Sequence, residues 1–213
     1  MGHPVWPLFD IVVRTPRLEL RYPDDAMLAE LAAVAAEGIH DPDRMPFLQP
    51  WTRASSPDLE REALKFWWGQ RAGWSPDRWN FTAAVVVGGR PVGVQDLGAR
   101  AFAVTKAVGT GSWLGRRHQG QGIGTEMRAA VLHLAFAGLG ADLATSGSFE
   151  DNAASRAVSR RLGYEENGYT IRDREGRPAR EIRFALTRSR WEATRRDDIV
   201  VEGLDACREW FGA

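Results

Sequence analysis

The sequence predicts a mixed α/β (α+β) fold, on three observations. Strand-like alternation and helix-like spacing take turns along the chain instead of falling into separate halves. Glycine turn signals at Gly88-Gly89 and Gly176 lie between alternating apolar runs and mark two hairpins. Third, an apolar run ending at Leu114 passes through the glycine-rich stretch Arg117-His118-Gln119-Gly120-Gln121-Gly122-Ile123-Gly124-Thr125 into a helical pattern.

The elements follow in chain order. Arg17 to Arg21 alternates polar and apolar, as a half-buried strand does. Asp24 or Asp25 caps a helix carrying Leu28, Leu31, Val34 and Ala35, and Gly38 ends it. Prolines at 42, 46 and 50 break regular structure between Ile39 and Ser55. Ser56-Pro57-Asp58 starts a second helix with Leu59, Leu64, Trp67 and Trp68 on or near its apolar side. Phe81–Val87 and Arg90–Leu97 form the first hairpin, which places Asp96 at a strand end. A strand to Leu114, the glycine loop, and a helix from Ile123 to about Phe136 come next. Leu143–Phe149 is a buried strand, followed by a helix capped by Asp151 or Asn152, with Ala154, Val158 and Leu162 as its buried stripe and Gly163 as its end. Tyr164–Arg172 and Arg180–Thr187 make the final hairpin. In residues 188–213, Arg190 to Arg196 reads as a short helix and Ile199-Val200-Val201 as a strand, whose apolar residues either cover the domain or seal a homodimer.

The 213 residues suit one well-cored domain. Lysine plus arginine and aspartate plus glutamate both number 28, so no global field recruits nucleic acid or an anionic membrane. Only two basic residues, Lys65 and Lys106, are lysines. The lone Cys207 excludes an internal disulfide, fits a reducing cytoplasm, and sits outside the motifs that carry chemistry. No apolar run reaches membrane-spanning length, and the start Met1-Gly-His-Pro-Val-Trp6 lacks the basic and apolar regions of a signal peptide. His3, His118 and His133 have no metal-ligand spacing with carboxylates or the cysteine, so no metal is expected.

The glycine loop is the most informative stretch. Gly120, Gly122 and Gly124 allow positive φ and close approach of backbone N–H groups to an anion. Met127, Ala130, Val131, Leu134 and Ala135 recur at helical spacing behind them, so the loop opens onto a helix N-terminus, where a diphosphate is favoured. A Walker A loop needs Gly-Lys-Ser/Thr, and Gly124-Thr125-Glu126 has no lysine. The dinucleotide fingerprint needs G-x-G-x-x-G near a chain start, whereas the spacing here is G-x-G-x-G deep in the chain.

Arg117-x-x-Gly120-x-Gly122 instead resembles the R/Q-x-x-G-x-G/A acyl-CoA pyrophosphate loop of the GNAT superfamily of N-acyltransferases. Asn152-x-x-Ser155-x-x-Val158 through Gly163-Tyr164, with Thr15-Pro16-Arg17-Leu18 near the start, resembles the RimJ/RimL-type branch. The resemblance implies a mostly antiparallel mixed sheet, splayed near Leu114 at the acyl-CoA site and flanked by helices. It assigns residues 1–187 to the family domain and 188–213 to a C-terminal extension. It implies that Arg117, Gln119, Gly120, Gln121, Gly122, Ile123, Gly124 and Thr125 cradle the CoA diphosphate, and that Trp113 and Leu114 wall the pantetheine and thioester. Asn152 and Ser155 then lie beside the pantetheine arm and sulfur. Many relatives place a tyrosine seven residues after that asparagine to protonate the sulfur. This chain has Ser159 there, so Ser155 takes the role.

The implied reaction is transfer of an acetyl group from acetyl-CoA to a primary amine on a protein N-terminus, a lysine or a small molecule. An α-amino group with pKa near 8 is about a tenth neutral at pH 7, and lysine near 10.4 fewer than about one in a thousand. A base is therefore useful. The strand glutamate of many relatives is absent from Thr110-Gly111-Ser112-Trp113-Leu114, which leaves Asp96 and His40 as candidates. Arg44, Met45, Phe47, Trp51 and Arg53 shape the acceptor or acyl pocket, and its arginines suit succinyl-CoA or another acidic acyl donor. A non-catalytic acyl-CoA sensor is the other functional class the missing glutamate admits.

Overall fold

The long alternating runs in the middle of the chain build the centre of the sheet. In the computed structural model, which describes residues 3–213, Arg78–Val87 (β3) and Arg90–Arg100 (β4) pair antiparallel across Gly88-Gly89. Both glycines have positive φ, as the tight hairpin turn requires. The residues Met1 and Gly2 of the chain start lie outside the described residues.

Around this hairpin lie Val12–Arg14 (β1), Glu19–Arg21 (β2), Ala107–Leu114 (β5), Leu143–Phe149 (β6), Glu165–Arg174 (β7), Arg177–Thr187 (β8) and Val200–Glu202 (β9). The sheet order is β7-β8-β6-β5-β4-β3-β2-β1-β9. Every pairing is antiparallel except β5 with β6. This matches the mostly antiparallel mixed sheet that the sequence implies. The β5–β6 ladder runs only from Ala107↔Leu143 to Thr110↔Ser146, and beyond it the two strands diverge.

Asp25–Ala36 (α1) and Asp58–Ala72 (α2) cover one face of the sheet, packing Leu28, Leu31, Ala63 and Trp67 on Ala84, Val86 and Val94. Asp24 caps α1, its side chain accepting from Met27 N at 2.8 Å, a contact worth about 1 kcal/mol. Phe102–Thr105 (α3) is a single turn between β4 and β5. Ile123–His133 (α4) covers the opposite face and packs Met127, Ala130 and Val131 into the main core with Phe81, Val85 and Leu97. Ala153–Arg161 (α5) lies beside the first turn of α4, with Val158 Cγ2 3.8 Å from where a Cβ on Gly124 would be.

The structure corrects several sequence expectations. The strand expected from Arg17 starts at Glu19, as β2, because Thr15 N donates to Leu18 O and closes a turn there. β1 is too short to show periodicity and is fixed by its pairing with β2 and β9, whereas β9 lies within one residue of the strand expected at 199–201. β4 continues to Arg100, so Asp96 lies inside a strand and not at its end. In α5 Ala154 is exposed, and the buried position is Ser159. The C-terminal residues pack on the chain's own core: Trp191, in Arg188–Thr194 (α6), stacks on Phe136, and Phe211 O accepts from Trp79 Nε1 at 2.9 Å. Cys207 is buried there, and burial pushes its thiol up to about 11.

Candidate functional site

The glycine loop forms an anion nest at the start of α4. Gly120 and Gly122 have φ of +73° and +81°, and nothing lies within 4 Å of a Cβ built on Gly120. Among the described residues, the N–H groups of Gly120, Gln121, Gly122, Ile123 and Gly124 have no protein acceptor, while those of Thr125 and Glu126 both donate to Gly122 O. Five consecutive free donors at a helix N-terminus are what a diphosphate needs. Gly124 itself is helical, correcting its expected positive φ. A Cβ there would make ordinary contact with Val158 and Leu114, at 3.8 and 3.9 Å.

The polar side chains of the loop divide into structural and exposed roles. Gln119 turns inward, its amide donating to Ile39 O at 2.6 Å and Leu114 O at 2.8 Å. Gln121 donates to Arg117 O, and Arg117 pairs with Glu37 at 2.7 Å while remaining largely exposed. A brace that the sequence reading missed holds the loop from below. Glu126, buried in the first turn of α4, accepts from Thr15 Oγ1 at 2.6 Å and from Arg17 Nε at 2.6 Å. The same guanidinium donates to Gln121 O at 3.1 Å. Burial works to raise the Glu126 pKa, but the Thr15 and Arg17 hydrogen bonds and the Arg17 charge prevail and hold it below its ordinary value. Thr15 and Arg17 of the T-x-R-L segment thus link the entry of β2 to the anion nest.

The wedge between β5 and β6 begins two residues before Ser112. From Gly111 to Leu114, β5 pairs with β4 on one side and has left β6 on the other. Trp113 and Leu114 bound this edge with side chains on opposite layers. Trp113 packs toward Trp51 under α1 and α2, and Leu114 is buried near α4. Asn152 Oδ1 caps α5 by accepting from Ser155 N at 3.2 Å, which commits that oxygen to the helix. Ser155 is half-buried, whereas Ser159, one turn further, is 1% exposed and its hydroxyl has no hydrogen-bond partner.

Asp96 lies on the α1/α2 face, cross-strand from Gly111. Thr82 Oγ1 donates to its Oδ1 at 2.7 Å and Asn80 Nδ2 to the same oxygen at 3.2 Å. The other oxygen, Oδ2, is 3.7 Å from where a Cβ on Gly111 would sit, so glycine leaves space above it. Asp96 is half-buried, but protein crowds the carboxyl, and this desolvation outweighs the two hydrogen bonds and pushes its pKa up to about 6. His40 is differently placed. Its Nδ1 is 2.8 Å from Asp41 O and Nε2 is 2.7 Å from Thr52 Oγ1, so both ring nitrogens serve the irregular segment itself.

That segment reaches from Ile39, held by Gln119, across to the far side of the wedge. Arg44 donates to Asp151 O at 2.5 Å, and Arg53 grips Glu175 at 2.8 Å and Pro42 O at 2.6 Å. The arginine fork expected for an acidic acyl group is therefore occupied at Arg53. A different arginine stands in the wedge. Arg128 of α4 is 4% exposed, and its guanidinium donates to Ser112 Oγ at 3.0 Å and Ser146 Oγ at 3.2 Å, bridging β5 and β6 where their ladder ends. Its Nε is 3.4 Å from Gln95 Oε1, and among the described residues it pairs with no carboxylate.

A family model described as an acetyltransferase (GNAT) domain matches residues 17–165. Among solved structures, the fold is shared with Mycobacterium smegmatis RimJ in complex with CoA-disulfide, at 18% identity over 94% of each chain and a TM-score of 0.67. It is shared with RimL, a ribosomal L7/L12 alpha-N-protein acetyltransferase in complex with coenzyme A, at 19% identity over 83% of this chain and 97% of that one, TM-score 0.61. A GNAT-family acetyltransferase from Bacillus anthracis matches at 15% identity over 84% and 99%, TM-score 0.67. None of the described helices is long and apolar enough to cross a membrane, and no three His, Cys, Asp or Glu side chains among the described residues cluster as a metal site.

Proposed function

This chain belongs to the GNAT acetyltransferase family, and from that premise we propose how its own residues carry N-acyl transfer from CoA to a primary amine. Acetyl-CoA supplies the activated thioester. The five free N–H groups from Gly120 to Gly124, with the α4 dipole behind them, hold the diphosphate. The edge of β5 from Gly111 to Leu114, freed from β6, offers its backbone to the pantetheine arm. Asn152 and the Ser155–Ser159 face of α5 line the sulfur side. Ser155 has no competing partner on its hydroxyl, and neither does the more deeply buried Ser159.

Asp96 is the base. Its Oδ1 is fixed by Thr82 and Asn80, and Oδ2 above Gly111 is left to take the proton of an incoming ammonium. With a pKa raised to about 6 it is ionised at neutral pH and a better proton acceptor than an ordinary aspartate. The observation that carries the reading is this placement of a hydrogen-bonded, desolvated carboxylate on the strand pair that leads to the anion nest. The test is thiol release from acetyl-CoA across a panel of amines. Tight CoA binding with no amine-dependent thiol would sink transfer in favour of an acyl-CoA sensor.

Arg128 favours a second donor. A buried guanidinium held by Ser112, Ser146, Gln95 and the Tyr164 hydroxyl, with no carboxylate partner among the described residues, suits an acyl chain ending in a carboxylate, as in succinyl-CoA. The ratio of kcat/KM for succinyl- over acetyl-CoA should fall at least 10-fold in Arg128→Met. An unchanged ratio removes this donor.

A further inference from the structure

A cavity of about 650 Å³ opens on the α1/α2 face, between the C-terminal turn of α2 and strands β3 to β6. Its floor is glycine, at Gly98 and Gly109, which face each other across β4 and β5. Its inner end is Asn80, the residue that donates to Asp96. Among the described residues lining it, the charged ones are Arg78 and Arg100. These two are directly cross-strand, both exposed, and neither is paired with a carboxylate among the described residues. Like charges in that register repel, and no carboxylate among the described residues lies within 4 Å of either guanidinium.

Strand alternation puts Arg78 on the face of Asn80, two residues on, and Arg100 on the face of Asp96, four residues on. At roughly 3.3 Å per residue the arginine pair stands about 13 Å from the carboxylate along β4. An extended peptide advances by the same step, so a chain with its α-amine at Asp96 brings its third to fifth residue to the arginines. Resting on the reading of Asp96 as base, we propose that the acceptor is a peptide N-terminus with Asp or Glu within its third to fifth residues, and that Arg78 and Arg100 select it. Gly109 leaves the peptide backbone room, while Asn80 fills the space above Gly98, and the arginines take the acidic side chain as a fork takes a carboxylate. Acceptors carrying a second positive charge at that distance are repelled.

The test uses the full chain, saturating acetyl-CoA and six-residue peptides of one sequence with Asp, Ala or Lys at position four. Asp should give a KM at least 10-fold below that of Lys, with Ala between them. The double variant Arg78→Glu/Arg100→Glu should invert the order, and both sites are exposed, so folding is checked simply by circular dichroism. Equal KM values across the three peptides, or an Asp preference that survives the double reversal, overturns the proposal. Failure of the transfer reading has a different signature, no thiol release with any amine. Peptide binding by fluorescence anisotropy would still read the charge preference in that case, and its absence there also counts against the proposal. Turnover of small amines with none of any peptide would likewise refute it.

Discussion

Replacing Asp96 by asparagine separates catalysis from stability in opposite directions. Asparagine keeps an acceptor oxygen for Thr82 and Asn80 and removes only the ionisable group. Burial raises the Asp96 pKa from 3.8 to about 6 in the folded chain. The folded state therefore holds a proton that the unfolded state releases between about pH 4 and pH 6, and the contribution of this residue to stability falls as pH rises through that window. Two pKa units at 1.36 kcal/mol each make the ionised carboxylate a cost of roughly 3 kcal/mol at neutral pH. Asp96→Asn should thus be more stable at pH 7.5 by up to that amount, a rise in Tm of roughly 6–12 °C for a chain of this size. The gap should close toward pH 4. Thermal unfolding of both proteins at matched pH values isolates the effect, because the carboxylates held low by arginines titrate alike in each. Activity should fall on the order of 10²–10⁴-fold. A variant no more stable at pH 7.5, with a pH-independent difference and retained turnover, would refute both the desolvation and the role as base.

Three further outcomes follow from the site. Gly120→Val/Gly122→Val places β-branched residues at positive φ in an exposed loop, so CoA affinity measured by calorimetry should be lost while circular dichroism stays native. Arg17→Met removes the brace on Gln121 O and leaves Glu126 buried beside the nest, and KM for acetyl-CoA should rise about 10-fold or more, with KM for the amine unmoved. Ser155→Ala and Ser159→Ala should be compared in single-turnover assays. Loss of the hydroxyl that serves sulfur should slow turnover up to about 10-fold, the worth of one hydrogen bond, and equal rates in both variants and wild type would exclude either.

The central hairpin, the glycine loop and the helix behind it were legible because each has a local signature: period-two alternation across Gly88-Gly89, glycine spacing, and apolar residues at helical intervals. What stayed hidden depends on partners far apart in sequence. The three-residue β1 has no local signature and is set by pairing with β9 across nearly the whole chain. Thr15, Arg17 and Glu126 come together over more than 100 positions, so the T-x-R-L segment was visible as a pattern but not as a loop brace. Arg128 offered a signal that went unused, a lone charge inside the apolar run from Met127 to Leu132. In α5, helical spacing alone could not tell which stripe is buried, since a polar Ser159 and not Ala154 faces inward.

The same sheet ties the two halves of the reaction together. Gln95 is fully buried on the α4 side, where its carbonyl oxygen faces Arg128 and its amide donates to Asp96 O and Gly111 O. Those two carbonyls belong to Asp96, the proposed base, and to the glycine opposite its Oδ2. The buried cation on the donor side thus holds, through one amide, the backbone that aims Asp96 on the acceptor side. A guanidinium and an amide so placed have few alternatives to their present bonds, because any that break leave a buried polar group unpaired. The wedge proposed for the thioester and the carboxylate proposed to meet the amine are therefore held by one hydrogen-bonded unit.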